Sequence, residues 1–375
     1  MHSISAFALA AALLSSSYLL SVGAQGTTCN STSPCPSSAP CCSEFGFCGS
    51  DSFCLGGCNP LASHDLNSCR PNPICQDATH TFADNSRILS NATFFDGNAT
   101  EYDWVVDKGN IINTNSSGGE LAMLLTETNG GTRLSSTRYI HYGKITATMK
   151  TGKWGGVVTA FITMSDIKDE IDWEFPGAAT TEGQTNFFWQ GVIPQTTHGD
   201  TTKDLSDTFQ NYHDYTIDWQ PDSLTFSIDN NVVRTLKASD FQSNGVNQFP
   251  NTPSRIQLSV WPAGIDSMPS GTVEWAGGMI NWDDSDYQSA GHFYALVKQI
   301  KVECNDQQVV NGSTKQSDTT GYVYGANMTG DQPSVAFTNA STLINGAASM
   351  RGVEVTGLRA VGMVVAALVG MAFAL

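Results

Sequence analysis

The chain has 375 residues, with 18 Lys and Arg against 35 Asp and Glu, and a formal net charge of −17. That length accommodates one large or two modest domains with a sizeable core, and the acidic balance argues against a nucleic-acid partner, whose phosphates it would repel. Only 14% of residues are charged, and the Gly, Ser, Thr and Asn that fill the gap give the texture of a secreted β-rich protein.

Residues 1–24 read as a secretory signal peptide. His2 precedes a largely apolar stretch from Phe7 to Leu20, and small residues, Val22 and Ala24, stand before Gln25. The alternative, a retained anchor, lacks a stop-transfer pattern. Nine of the ten cysteines then fall between Cys29 and Cys75. An even cysteine count in a secreted chain implies disulfides, and a segment this short needs them in place of a core. We place a small disulfide-rich module at 25–60 and a stiff connector, carrying Pro71 and Pro73, at 61–75. The heart of the module is Cys41-Cys42-Ser43-Glu44-Phe45-Gly46-Phe47-Cys48-Gly49, followed by Phe53-Cys54. Flat rings on a rigid frame offer apolar faces to sugar rings at low entropic cost. A mini-core made of the same Phe residues is the competing reading.

From 76 to 304 the texture changes to short strand-like runs separated by Gly, Asn and Asp. They are Asn91–Phe95, Leu121–Leu125, Tyr142–Met149, Val157–Met164, Tyr215–Trp219, Thr225–Val233, Ile256–Trp261 and Ala295–Val302. Many short strands without long helical periodicity predict an all-β sandwich or jelly roll. One run stands out: Asp169-Glu170-Ile171-Asp172-Trp173-Glu174-Phe175. Its period of two puts Glu170, Asp172 and Glu174 on one face of a strand and the apolar residues on the other. Three like charges on one strand face cost stability. Paired carboxylates with separated pKa values are, however, the equipment for cleaving a glycosidic bond. Asp169 has the opposite parity and reads as structural.

Sequons for N-glycosylation stand at Asn30, Asn91, Asn98, Asn115, Asn311, Asn327 and Asn339. Residues 305–345 read as a flexible Ser/Thr/Asn-rich stalk. Leu358 to Leu375 is apolar except for Arg359, behind a polar spacer and Asn345-Gly346-Ala347. This is the signal for a GPI anchor, with the ω site at Asn345, Gly346 as the close alternative, and 346–375 as the removed propeptide. The seven His are scattered without ligand spacing, so no metal and no cofactor is expected.

Two resemblances add to this reading. The stretch from Thr28 to Cys58 resembles the hevein-like chitin-binding module (carbohydrate-binding module family 18). That resemblance implies sugar contacts from Ser43, Phe45, Phe47 and Phe53, where relatives usually carry Trp or Tyr among the aromatics. It also implies the pairs Cys29–Cys42, Cys35–Cys48 and Cys41–Cys54. Cys58, Cys69, Cys75 and Cys304 stay unassigned, although the distant Cys304 calls for a bridge from the end of the large domain to its start.

The acidic strand, Gln184-Thr185-Asn186-Phe187-Phe188, Leu258 to Gly264 and Gly271 to Gly278 together resemble glycoside hydrolase family 16, in its fungal Crh branch of chitin–glucan transglycosylases. One residue between Asp172 and Glu174 implies a regular strand, where the laminarinase-like branch has two and a bulge. The resemblance implies a jelly roll, Glu170 as nucleophile, Glu174 as general acid/base and Asp172 as the tuning residue. Asn186, Phe188, Gln190, Trp261, Trp275, Trp219 and Trp154 are candidate substrate contacts.

The expected function is a secreted, GPI-anchored retaining transglycosylase at the outer cell surface. It would cleave β-1,4-linked chitin and pass it to β-glucan or chitin acceptors, with no obligate protein partner. A hydrolase using the same acids, and a non-enzymatic chitin-binding adhesin, are the alternatives.

Overall fold

The computed structural model describes residues 26–114, 118–305, 309–310, 313–329 and 332–345. The segments expected as signal peptide and propeptide, together with Asn115 and Asn311, lie outside these residues, as does the side chain of Asn327.

Two sheets, antiparallel but for one short outer strand, pack face to face. The first contains β2 (Trp104–Lys108), β4 (Thr132–Ile140), β6 (Val157–Ser165), β7 (Glu170–Pro176), β8 (Gly183–Phe188), β9 (Asp200–Thr202) and β13 (Ser254–Pro262). Its order is β9-β8-β7-β6-β13-β4-β2, with the short strand Ile88–Leu89 outermost. The second contains β3 (Leu121–Leu125), β5 (Gly143–Lys150), β10 (His213–Trp219), β11 (Ser223–Ile228), β12 (Asn231–Lys237) and β14 (Phe293–Cys304). Its order is β12-β11-β10-β5-β14-β3, extended by Asn110–Asn113.

Alternation builds these strands. In β5, Ile145, Ala147 and Met149 are buried while Lys144, Thr146 and Thr148 face outward. In β7, Ile171, Trp173 and Phe175 enter the core, and Trp173 Nε1 donates to Thr216 O at 3.2 Å. That bond satisfies the polar atom that burial would otherwise orphan. β7 pairs with β6 and β8 without a register shift, as the one-residue spacing requires.

Three sequence expectations are corrected. Asn91–Phe95 is no strand: Ala92–Phe94 is a 3-10 turn whose start is capped by the Asn91 side chain, which accepts from Thr93 N. Asn capping competes with strand extension. Thr225–Val233 is no single strand either. Asp229 and Asn230, at φ 49° and 65°, turn the chain back between β11 and β12, the two positive φ values that a tight hairpin needs.

The expected stalk is partly folded. β15 (Gly321–Thr329) and β16 (Gln332–Thr338) pair with each other, and β15 pairs with β1 (Asn72–Pro73) of the expected connector. Tyr322, Tyr324 and Val335 are buried there against Tyr139 and Ile167. Farther on, Ile344 N donates to Asp96 O at 2.9 Å. Aromatic alternation inside a polar composition supplied enough apolar surface to fold the segment back.

All ten cysteines are paired: Cys29–Cys42, Cys35–Cys48, Cys41–Cys54, Cys58–Cys69 and Cys75–Cys304. The last ties the start of the sandwich to its final strand across 229 residues.

Candidate active site

The face of β7 turned away from the core carries Glu170, Asp172 and Glu174. Asp172 is 2% exposed and Glu170 9%. Across the strand pair, Glu170 stands opposite Phe188, Asp172 opposite Asn186, and Glu174 opposite Gln184. On the other side they face Met164, Ile162 and Ala160 of β6. Asp169, on the opposite face, is a structural acceptor. Its Oδ1 accepts from Gln190 N, and its Oδ2 from Asn251 N, Thr252 N and Thr252 Oγ1. Those bonds pin the loop at the start of β7.

Burial in a row of like charges sets the electrostatics. Glu174 is pushed up to about 8, first by desolvation and then by the charge of Glu170. Glu170 is pushed up to about 7 by desolvation, against the pull of Asp172 and Lys168. Asp172 is raised well above the carboxylate range by desolvation and by both glutamates. That shift favours its protonated form. Both of its oxygens are shut off from solvent without a well-aligned partner, and the Glu170 carboxyl lies within reach of that proton. Like charges packed this closely disfavour the ionisation of all three carboxyls at once.

Around the acids, Trp261 lies at the Glu174 end of the row, beside Val158, which pairs with Pro176. Trp275, at the end of α1 (Ser270–Trp275), stacks on Trp261 with ring centroids 6.0 Å apart. Its Nε1 donates to Gln184 Oε1 at 2.8 Å. Helix and acid strand come close because Gly277, at φ 88°, lies where a Cβ would strike Ala178. Asn186 and Phe188 flank Asp172 and Glu170, and Gln190 sits just past β8 with a positive φ of 49°.

Two candidates move into the core. Trp219 is fully buried between the sheets, donating from Nε1 to Pro250 O. Trp154 packs against Phe209, Phe293 and Tyr294, with its Nε1 on Asp286. Neither reaches the acids: strand parity turns Trp219 inward, and packing does the same for Trp154.

The module is seated on this same face. Arg133 (β4) donates from Nη2 to Glu44 Oε1 at 2.6 Å and from Nε to Asp107 at 3.0 Å. Arg255 (β13) lies 3.4 Å from Glu44 Oε2, and Lys168 Nζ donates to the Glu44 carbonyl at 3.2 Å. Burial pushes Glu44 up, but Arg133, Arg255 and Lys168 hold it below its ordinary value. Gly57 N donates to Tyr139 Oη and Asp166 Oδ1. In the module, Phe45 and Phe53 are exposed, Ser43 and Phe47 are half-buried, and Ser43 Oγ accepts from Phe47 N.

Sequence reasoning missed Gln184, Glu44, Arg133, Arg255 and Lys168. Gln184 shares the parity of Asn186 and was open to the same argument. The ion cluster joins residues far apart in sequence and left no local signal.

The description "Glycosyl hydrolases family 16" matches residues 98–277. Crh-like protein 2 of Aspergillus fumigatus is 41% identical over 292 residues, covering 77% of this chain and 64% of that protein. The chain thus spans just under two thirds of that relative's length. Crh-like protein UTR2 of Candida albicans is 39% identical over 339 residues, covering 88% of this chain and 71% of that one. Among solved structures, a Crh5 transglycosylase in complex with NAG superposes with a TM-score of 0.59 at 29% identity, over 75% of this chain and all of that one. The apo Crh5 transglycosylase gives 0.53 at 32% identity, over 66% of this chain and 92% of that one. An acid row on a regular strand of a β-sandwich and these likenesses agree, and the chain belongs to glycosyl hydrolase family 16, among its Crh-like proteins.

Proposed function

We propose that this protein is a cell-wall-remodelling retaining transglycosylase that cleaves β-1,4-linked chitin and transfers it to a β-glucan or chitin acceptor. The observation that carries this reading is the acid row, with Glu170 and Glu174 on one strand face around a neutral Asp172 and the pKa of Glu174 pushed up to about 8. Glu170, ionised, attacks the anomeric carbon while Glu174 gives its proton to the departing glycosidic oxygen. The C–O bond breaks and a glycosyl ester forms on Glu170. Glu174, now a carboxylate, takes the proton from an acceptor hydroxyl. That oxygen displaces Glu170, and both acids return to their starting states. Net retention follows from two inversions. The transferases among the solved relatives support transfer to a sugar hydroxyl over transfer to water.

The same proposal includes secretion after removal of 1–24, a chitin-binding module at 25–60 with Ser43, Phe45, Phe47 and Phe53 as its sugar face, and a GPI anchor attached at Asn345. Asn345 is exposed, as that attachment requires. Occupied N-glycans at Asn30, Asn91 and Asn98 fit their geometry, since each side chain already accepts from the Thr of its own sequon.

The test is to incubate purified protein with a chitin oligosaccharide donor, with and without a labelled β-glucan oligosaccharide. Labelled products of higher mass are expected, and Glu170→Gln should abolish them. Shortened donor alone would mean a hydrolase, and substantial turnover by Glu170→Gln would remove the nucleophile assignment.

A further inference from the structure

The strand register of the acid face leads from the acids to the module. Along β7, one end of the acid row is closed by the stacked pair Trp261 and Trp275. At the other end stand Lys168, whose side chain reaches the module, and Gly191 against it. Across the strands the acid face continues through shorter side chains. From Gln184 and Glu174 the register runs over Ala160 and Ser259 to Arg133. Ala160 and Ser259 are the small members of this row. Glu174 and Arg133 are three strand spacings apart, about 14 Å, the reach of a short oligosaccharide. Over Arg133 lies Phe45, its ring centroid 5.6 Å from the guanidinium carbon and its surface 49% exposed. The buried cluster of Glu44 with Arg133 and Arg255 fixes the adjacent backbone, so the ring is held in place.

We propose that Phe45 is a remote sugar platform of the catalytic face. A chito-oligosaccharide that spans the acids continues over Ala160 and Ser259 and stacks on Phe45, so that module and sandwich form one site. The module then sets how long a donor must be to bind fully, in place of acting as an independent tether. A planar ring with a cation beneath it and an open upper surface suits the apolar face of a pyranose. The inference rests on the chitin reading given above.

The test uses the full chain with Glu170→Gln, which holds donors uncleaved. Calorimetry with chito-oligosaccharides of increasing length is compared between Glu170→Gln and Glu170→Gln/Phe45→Ala. In the first, affinity should rise about tenfold once the oligosaccharide is long enough to reach Phe45, with one long ligand per chain. In the second, that length-dependent gain should vanish, and Phe45→Trp should restore it. Thermal unfolding of each variant checks the fold, which the half-exposed Phe45 should leave intact. The same gain in both proteins, or two independent ligands per chain, overturns the shared platform while leaving the chitin reading in place. No binding of any chito-oligosaccharide, with β-glucan oligosaccharides still bound, overturns both.

Discussion

Asp172 is the residue on which the chemistry turns. Burial between two glutamates raises its pKa, and in its protonated form it can donate toward Glu170. That donation lowers the pKa of Glu170 against the upward push of desolvation. On the proposed mechanism the active form has Glu170 ionised and Glu174 protonated, so kcat/KM should be bell-shaped, with limbs at about 7 and about 8 that belong to the coupled row. Asp172→Ala removes the donor, so the acid limb should move to higher pH and the bell should narrow; Asp172→Asn, which keeps a donor, should move it less. A shift to lower pH on Asp172→Ala would contradict this account. The same electrostatics predict a pH-dependent stability. Glu170 binds its proton more tightly when folded than when unfolded, so its ionisation costs nothing below about 4.5 and costs most above about 7. Glu170→Gln should therefore unfold at higher temperature than wild type at pH 9, by a free energy of about 3 kcal/mol. The gain should fade as pH falls toward 4.5, as thermal melts across pH will show.

At the scale of elements, strand parity explains both what the sequence disclosed and what it hid. In β13, Ile256, Leu258 and Val260 alternate with Arg255, Gln257, Ser259 and Trp261. Trp261 thus shares the polar face, as the site reading required. In β10, Trp219 alternates in step with Tyr215 and Ile217 and against Thr216 and Asp218. The same count places it in the core, a position legible in the sequence. Trp154 lies outside any strand, where parity has nothing to say. The folded hairpin of β15 and β16 was hidden by polar composition, because Tyr322 and Tyr324 take their partners from β1, β4 and the loop at Ile167. Trp275 could be ascribed to the site but not positioned, since its geometry depends on Gln184 across the face. Trp275→Ala should lower kcat/KM about tenfold, about 1.4 kcal/mol, mainly through KM. Its half-buried ring should leave the melting temperature little changed. An unchanged KM with a collapsed melting temperature would make it a packing residue instead.

For the whole molecule, the decisive feature is that the module is not free. Its own bridges hold it together, since Cys29–Cys42, Cys35–Cys48, Cys41–Cys54 and Cys58–Cys69 all close within it or its connector. Its attachment to the sandwich therefore rests on other bonds, chiefly Glu44 and the Gly57 amide. Glu44 keeps only 10% of its side chain exposed, and a largely buried pair broken on one side leaves an uncompensated charge, costing up to about 3–5 kcal/mol. Glu44→Gln strands Arg133 and Arg255 opposite a neutral amide, with Asp107 still holding Arg133. The module should then stay folded and lift from the sheet. Hydrogen exchange should quicken at Gly57, whose amide bonds to Tyr139 and Asp166 across the interface, while amides within β6 and β7 keep their protection. Adding salt to the wild-type protein should not reproduce the effect, because buried pairs are screened little. Unchanged exchange at Gly57 would mean that the disulfide-rich connector and β1 hold the module without the ion cluster. Quickened exchange throughout the sandwich would mean that the cluster supports the fold itself, since β4 and β13 carry its two arginines.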